Sequence, residues 1–184
     1  MSSKLKTALA FVKNIRTTGA ISQTSKKTEQ QITEQITQNT RLVVEFGMGH
    51  GNITSVILSK LPKDAQVFAF EVNPEFCEVV KDQIDDPRLT VVNDSAENLK
   101  KYIGDQKVDA FVSSMPLTMF PDALVKSIMN TCLNSLSDDG YYSQILYNKK
   151  SHKRFSDYYS QIEVDGNLAF PPQYIYHCSG PKKV

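Results

Sequence analysis

Apolar residues along this chain recur in two rhythms. Short apolar runs of strand length stand at 41–46, 66–71, 89–92, 108–112 and 141–147. Between them the spacing lengthens to a helical period at 52–60, 74–84, 95–102 and 121–136. Pro74 falls in the first turn of its segment, a position that suits proline at a helix start. The alternation of five strands with four helices predicts βα units in a mostly parallel sheet. A polar and aromatic stretch at 151–159 is followed by two further strands, 160–164 and 173–178, joined through Gly166 and Pro171-Pro172. Adjacent strands without a crossover helix predict an antiparallel closing pair. Upstream, Leu5, Ala8, Leu9, Val12 and Ile15 make an apolar stripe with Phe11 beside it, predicting a helix over 3–16. A polar, irregular link at 17–25 contains Gly19, and a polar helix is expected over 26–38, with Ile32 and Ile36 one turn apart.

The first strand-to-helix junction carries the most chemistry. Glu45-Phe46-Gly47-Met48-Gly49-His50-Gly51 sets three glycines at every second position. Glycine admits φ > 0 and lets a ligand lie against the backbone with no Cβ in the way. The open N–H groups of the following helix start favour a carboxylate or phosphate. Glu71 lies twenty residues beyond Gly51, at the end of the second strand, where a carboxylate can accept from ribose hydroxyls. Together these features predict a nucleoside-bearing cofactor. Dinucleotide sites usually read G-x-G-x-x-G. This chain reads E-x-G-x-G-x-G, which resembles motif I of the class I S-adenosylmethionine methyltransferases.

That resemblance implies a Rossmann-like, seven-stranded α/β sheet, mostly parallel with an antiparallel C-terminal strand, and an N-terminal helical extension. It implies S-adenosylmethionine as cofactor. Gly47, Met48, Gly49, His50 and Gly51 would wrap its methionine part, and Glu45 would lie near its amino group. Glu71 and Val72 would border the ribose. Asp94 and Ser95, after the third strand, resemble the stretch that borders the adenine. Asp94 reads equally as an adenine acceptor or as a helix N-cap, and the two roles are compatible.

Ser113-Ser114-Met115-Pro116-Leu117 follows the fourth strand, where the acceptor meets the methyl group in this family. The N/D-P-P-Y form found in many amino-directed members is absent: both the starting Asn/Asp and the closing aromatic are missing. A planar nucleobase amine is therefore a poorer fit. Methyl transfer is an in-line displacement that needs alignment and a dry site. An alkyl ammonium must first lose a proton, to a side chain or to water. Ser113, Met115, Pro116 and Tyr147 are the expected catalytic set. His50 is a second candidate base. Each has a plainer reading, His50 as a loop residue and Tyr147 as a strand-end residue of the core.

Bulk properties narrow the setting. At 184 residues and 40% hydrophobic content the chain is long enough for one well-buried core. No apolar run approaches the roughly 18 residues of a membrane span, and no secretory signal is recognised, so the cytoplasm is the expected compartment. Cys77, Cys132 and Cys178 are widely spaced and argue against a disulfide or zinc framework; no metal is expected. Charge is uneven. Lys4, Lys6, Lys13, Arg16, Lys26 and Lys27 all precede the first acid, Glu29. Such an arm suits an anionic partner, lipid or nucleic acid. The stripe at 3–16 fits a helix docked on the domain or one lying in a membrane interface.

Four segments together resemble the soluble bacterial phospholipid N-methyltransferases, which make phosphatidylcholine from phosphatidylethanolamine. They are Phe11-Val12-Lys13-Asn14 through Gly19-Ala20-Ile21-Ser22-Gln23-Thr24-Ser25, the glycine loop, Val112–Pro121, and Asn167–Tyr176. Departures are Gln23 for a proline, His50 within the glycine loop, and Phe170. The resemblance implies a peripheral enzyme at the inner membrane face that methylates the ethanolamine amine. Its basic helix, through Lys4, Lys6, Lys13 and Arg16, would contact anionic lipid. Residues 1–38 would form a lid and membrane-contact segment, with Gly19–Ser25 folding over the cofactor, and 39–184 the catalytic domain. An rRNA adenine N6-methyltransferase, a small-molecule methyltransferase and a non-catalytic binding subunit remain the alternatives.

Overall fold

A computed structural model describes residues 24–147, 152–167 and 172–182. The expected helix over 3–16, its four basic residues, Gly19–Gln23 and Leu168–Pro171 lie outside the described residues. The described elements run α1 (Lys26–Ile32), β1 (Leu42–Phe46), α2 (Asn52–Lys60), β2 (Gln66–Phe70), α3 (Pro74–Gln83), β3 (Leu89–Val92), a 3-10 turn (Ala96–Asn98), α4 (Lys100–Ile103), β4 (Val108–Ser113), a second 3-10 turn (Leu117–Met119), α5 (Asp122–Ser135), β5 (Leu136–Leu146), α6 (His152–Ser156), β6 (Tyr159–Asn167) and β7 (Gln173–Pro181).

The strands form one seven-stranded sheet in the order β3-β2-β1-β4-β5-β7-β6. The first five are parallel, and β7 enters antiparallel between β5 and β6. The sheet is thus the α/β architecture expected from the alternating rhythm. Every residue of β1 is buried, as befits a central strand covered on both faces. One face packs Phe46, Phe111, Tyr142 and Tyr176 with Met129 and Cys132 of α5. The other packs Val43, Val112, Ile145 and Ile175 with Ile57 of α2 and Ile32 of α1. Chain direction across the sheet reverses between β1 and β4, the point at which open α/β sheets leave a crevice beyond the strand ends.

Local chemistry sets the boundaries. Asn73 caps α3 by accepting from Glu75 N–H, with Pro74 in the first turn. The polar helix expected over 26–38 stops at Ile32. Thr33 donates its hydroxyl to Glu29 O at 2.8 Å, a local bond that competes with helix continuation. The helix expected over 95–102 divides into the 3-10 turn and α4. β5 starts at Leu136, earlier than 141, because its pairing with β4 is interrupted by a register shift. Gly140 sits in that irregularity, where a Cβ would approach Leu136 Cδ1 to 2.7 Å. The polar and aromatic stretch after β5 contains α6, which buries Phe155 beside Tyr142 and Tyr176. Among the described residues no helix is long and apolar enough to cross a membrane.

Candidate functional site

A cavity of about 240 Å³ opens at the carboxyl ends of β1, β2 and β4, at the topological reversal. Its floor is the glycine loop. Gly47 takes φ +79° and donates to Phe70 O at 2.9 Å, which anchors the loop on β2. A Cβ at Gly47 would come within 3.2 Å of Ser114 Oγ, and that hydroxyl donates to Gly47 O at 2.6 Å. The Ser114 and Met115 side chains therefore crowd a left-handed position that suits glycine. Gly51 is the N-cap of α2 at φ +82°, where an added Cβ would come within 3.1 Å of Val80 and Ile84. No side chain caps this helix, and Asn52 and Ile53 at its start line the cavity.

Glu71 is buried and bridges two backbone donors. Its Oε2 accepts from Gly49 N–H at 3.1 Å and its Oε1 from Asn73 N–H at 2.9 Å. The carboxylate thus fixes the glycine loop while lining the cavity next to Val72. Asp94 Oδ1 accepts from Ser95 N–H and Asn98 Nδ2, and Oδ2 from Tyr102 OH at 2.8 Å. Burial alone would raise its pKa, yet the bonds from Asn98, Tyr102 and Ser95 hold it below the ordinary carboxylate value. The cap position of the following turn belongs to Ser95, one residue beyond the expected Asp94. Both residues line the cavity.

Glu45 is placed differently. It lies beneath the loop, 1% exposed, and does not line the cavity. Thr54 Oγ1 of α2 donates to its Oε2 at 2.6 Å, while Oε1 has no hydrogen-bond partner among the described residues. Burial pushes its pKa up to about 7; the Thr54 bond opposes this and the nearby Glu71 charge adds to it.

The wall beyond β4 is apolar. Met115 and Pro116 line it together with Phe120, Leu124, Ile128 and Ile145. Tyr147, just past β5, also reaches the cavity, as does His50, whose ring lies 4.4 Å from that of Phe76. Ser113 is fully buried and supports this wall from behind without lining it. Of the residues expected from sequence, Gly47, Met48, Gly49, His50, Glu71, Val72, Asp94, Ser95, Met115, Pro116 and Tyr147 converge on the cavity; Glu45, Gly51 and Ser113 lie behind it.

Sequence reasoning missed several participants. Gln144 is completely buried. It accepts from Tyr142 OH at 2.7 Å and donates through Nε2 to Met115 O at 2.8 Å, holding the loop after β4. A glutamine directly before Ile145 and Leu146, in the buried end of β5, was its visible signal. Phe76, an aromatic in the first turn of α3, lines the cavity, and so does Thr24 from the segment expected to form a lid. Arg154 of α6 donates to Leu117 O at 2.9 Å and pairs with Asp122, fixing the far end of the same loop.

The donor set discriminates among ligands. Glu71 and Asp94 face the cavity, and among the described lining residues there is no lysine or arginine. A pyrophosphate would meet carboxylates without a cation. A cationic sulfonium nucleoside meets the charge it needs, and the glycine-only approach of the loop leaves room for its backbone-like tail.

Residues 43–140, more than half of the chain, match the family model described as a methyltransferase domain. The chain belongs to that family. It is a class I S-adenosylmethionine-dependent methyltransferase, and S-adenosylmethionine is its cofactor. Over 155 residues this methyltransferase is 28% identical to an ornithine lipid N-methyltransferase from Singulisphaera acidiphila, an alignment that covers 79% of each chain. A ribosomal RNA small subunit methyltransferase H from Acinetobacter baumannii is 32% identical over 82 residues, covering 42% of this chain and 27% of the relative. Among solved structures, a precorrin-6y C5,15-methyltransferase from Geobacter metallireducens superposes with a TM-score of 0.68 at 15% identity, covering 88% of this chain and 90% of the other. A Streptococcus mutans protein in complex with SAH superposes with a TM-score of 0.65 at 15% identity, covering 86% of this chain and 99% of the other. These likenesses establish the fold.

Proposed function

We propose that this methyltransferase transfers methyl groups to the primary amine of a membrane lipid head group, that of phosphatidylethanolamine or of an ornithine lipid. The observation that carries the reading is the alignment with an ornithine lipid N-methyltransferase over 79% of both chains. The ribosomal RNA relative, by contrast, aligns over 42% of this chain. The cavity agrees in kind. Its acceptor wall is built from Met115, Pro116, Phe120, Leu124 and Ile128. Apolar side chains of this sort accommodate a lipid and exclude water, which strengthens the electrostatic contacts within.

When bound, S-adenosylmethionine supplies an electrophilic methyl on a sulfonium. The chain's residues bind, orient and manage a proton. Gly47, Met48, Gly49 and His50 hold the amino-acid part, with Gly51 at the helix start and Glu45 below. Glu71 and Val72 hold the ribose, and Asp94 and Ser95 the adenine. Ser113 fixes the backbone at Met115, which with Pro116 directs the acceptor. Tyr147 orients the ammonium by accepting a hydrogen bond at its phenol oxygen, and the ammonium proton leaves to water before attack. Residues 1–38 supply the lid and membrane contact, anchored on the sheet through Ile32 and Ile36, and 39–184 the catalytic domain. Lys4, Lys6, Lys13 and Arg16 draw the enzyme to the anionic inner membrane face, at about 1 kcal/mol per basic residue near the surface.

The test is transfer of labelled methyl to phosphatidylethanolamine, to ornithine lipid, or to structured ribosomal RNA, with the lipids in mixed anionic vesicles. Label in either lipid is expected and names the head group. Label in RNA alone overturns the proposal. Reversing Lys4, Lys6, Lys13 and Arg16 to Glu is expected to abolish pelleting with vesicles; unchanged pelleting excludes the arm as anchor.

A further inference from the structure

On the face of the sheet that α1 covers, three side chains converge that the methyl-transfer reading does not use. His177 of β7 is 3% exposed. Its Nδ1 pairs with Ser143 Oγ of β5 at 2.8 Å. Its Nε2 is buried, has no hydrogen-bond partner among the described residues, and lies 3.3 Å from Glu34 Oε1 without hydrogen-bond alignment. Asp165 of β6 completes the group, and one ligand atom from each of the three lies within 4.8 Å of the others. We propose that Glu34, Asp165 and His177 form a binding site for a divalent transition-metal ion of the Zn²⁺ type, tying the turn after α1 to the β6–β7 pair.

Two features carry this. Ser143 can accept from Nδ1–H, which fixes the tautomer that leaves the Nε2 lone pair pointing at the carboxylates; metal-bound histidines are commonly oriented in this way. Bonds of about 2.05 Å give a tetrahedral edge of roughly 3.3 Å, so the Nε2–Glu34 separation already fits. Asp165 closes by a side-chain rotation, because both acids are exposed. One imidazole and two carboxylates suit zinc and its neighbours in the series, with water in the remaining position. The cysteines, on which the expectation of no metal rested, take no part. Because α1 follows directly on Thr24, the ion would brace the segment that borders the cofactor cavity.

The test uses the full-length chain stripped with chelator and titrated with Co²⁺, then displaced with Zn²⁺. A single saturable equivalent with visible ligand-field absorption and no thiolate charge-transfer band is expected, together with a higher melting temperature in Zn²⁺. Glu34→Gln and Asp165→Asn, both at exposed positions, should each weaken binding by about tenfold or more and abolish the thermal shift while S-adenosylmethionine still binds. His177→Gln should remove the spectrum. Absence of the Co²⁺ spectrum, a thiolate band, or unchanged affinity in Glu34→Gln and Asp165→Asn overturns the proposal.

Discussion

The two sides of the cavity are built on opposite principles. On the cofactor side, around β1 to β3, the carboxylates of Glu71 and Asp94 are each held by donors of their own neighbourhood: backbone N–H groups for Glu71, a backbone N–H and two side chains for Asp94. Their charge is set in place before any ligand arrives. On the acceptor side, beyond β4, the lining is apolar, and the polar work is done one layer back by Gln144, Ser113 and Arg154, which hold backbone. One side recognises by fixed charge, the other by shape on a fixed frame. Changes on the first should therefore strike cofactor affinity, and changes on the second turnover and acceptor selection.

The largest effect is expected at Glu71. Glu71→Ala leaves Gly49 and Asn73 N–H without their acceptor and removes the carboxylate proposed to bind the ribose. S-adenosylmethionine affinity measured by calorimetry should fall by 100-fold or more, about 3 kcal/mol. Retained affinity would break the contrast between the two sides.

Glu45 comes next, and its effect is on stability. Its carboxyl titrates at about 7 in the fold against 4.5 as the reference value. Below 4.5 both folded and unfolded chains hold the proton, and well above 7 neither does. Between these values only the folded chain holds it, so stability is lost as pH rises through that window, to a penalty of about 3 kcal/mol by pH 8. Glu45→Gln should flatten this slope and raise the melting temperature at pH 8 by about 5–10 °C, with little change at pH 4. Parallel melting curves for the two proteins from pH 4.5 to 8 would show that the carboxyl is ionised throughout.

A smaller effect is expected from Gln144→Leu, which strands Tyr142 OH and Met115 O. Turnover should drop about tenfold while cofactor affinity stays within about twofold, a split that simple loss of folded protein would not give. Smallest is Leu124→Ser on the acceptor wall: a few-fold rise in KM for the lipid acceptor and no change for the cofactor. If cofactor affinity moves instead, the wall belongs to the cofactor side.

These sides were unequally legible in the sequence. The glycine loop and Glu71 are local signals, a turn chemistry and an acid at a strand end, so the residues that build them lie close together in the chain. The strand rhythm was equally plain, since a buried parallel strand such as Leu42–Phe46 is apolar at every position but Glu45. What hid was tertiary. Gln144 gains its role only when β5 lies beside β4 and presents it to Met115 O. The stop of α1 at Ile32 depends on one hydroxyl bond, and the early start of β5 on a bulge around Gly140. Glu34, Asp165 and His177 span more than 140 positions and carry no spacing pattern at all.

The insertion of β7 between β5 and β6 has a consequence for the order of events during synthesis. Strands β1 to β5 can assemble as they emerge from the ribosome, but β5 then presents an open edge that its successor β6 does not fill. That edge closes only when Gln173–Pro181 is released and threads in antiparallel, bringing β6 with it. Translation therefore leaves an interval in which the cofactor end is already formed while an interior strand is missing. During it, the nascent chain is a strand-accepting surface, and a chaperone or a prompt ligand at the finished end would have the most to protect.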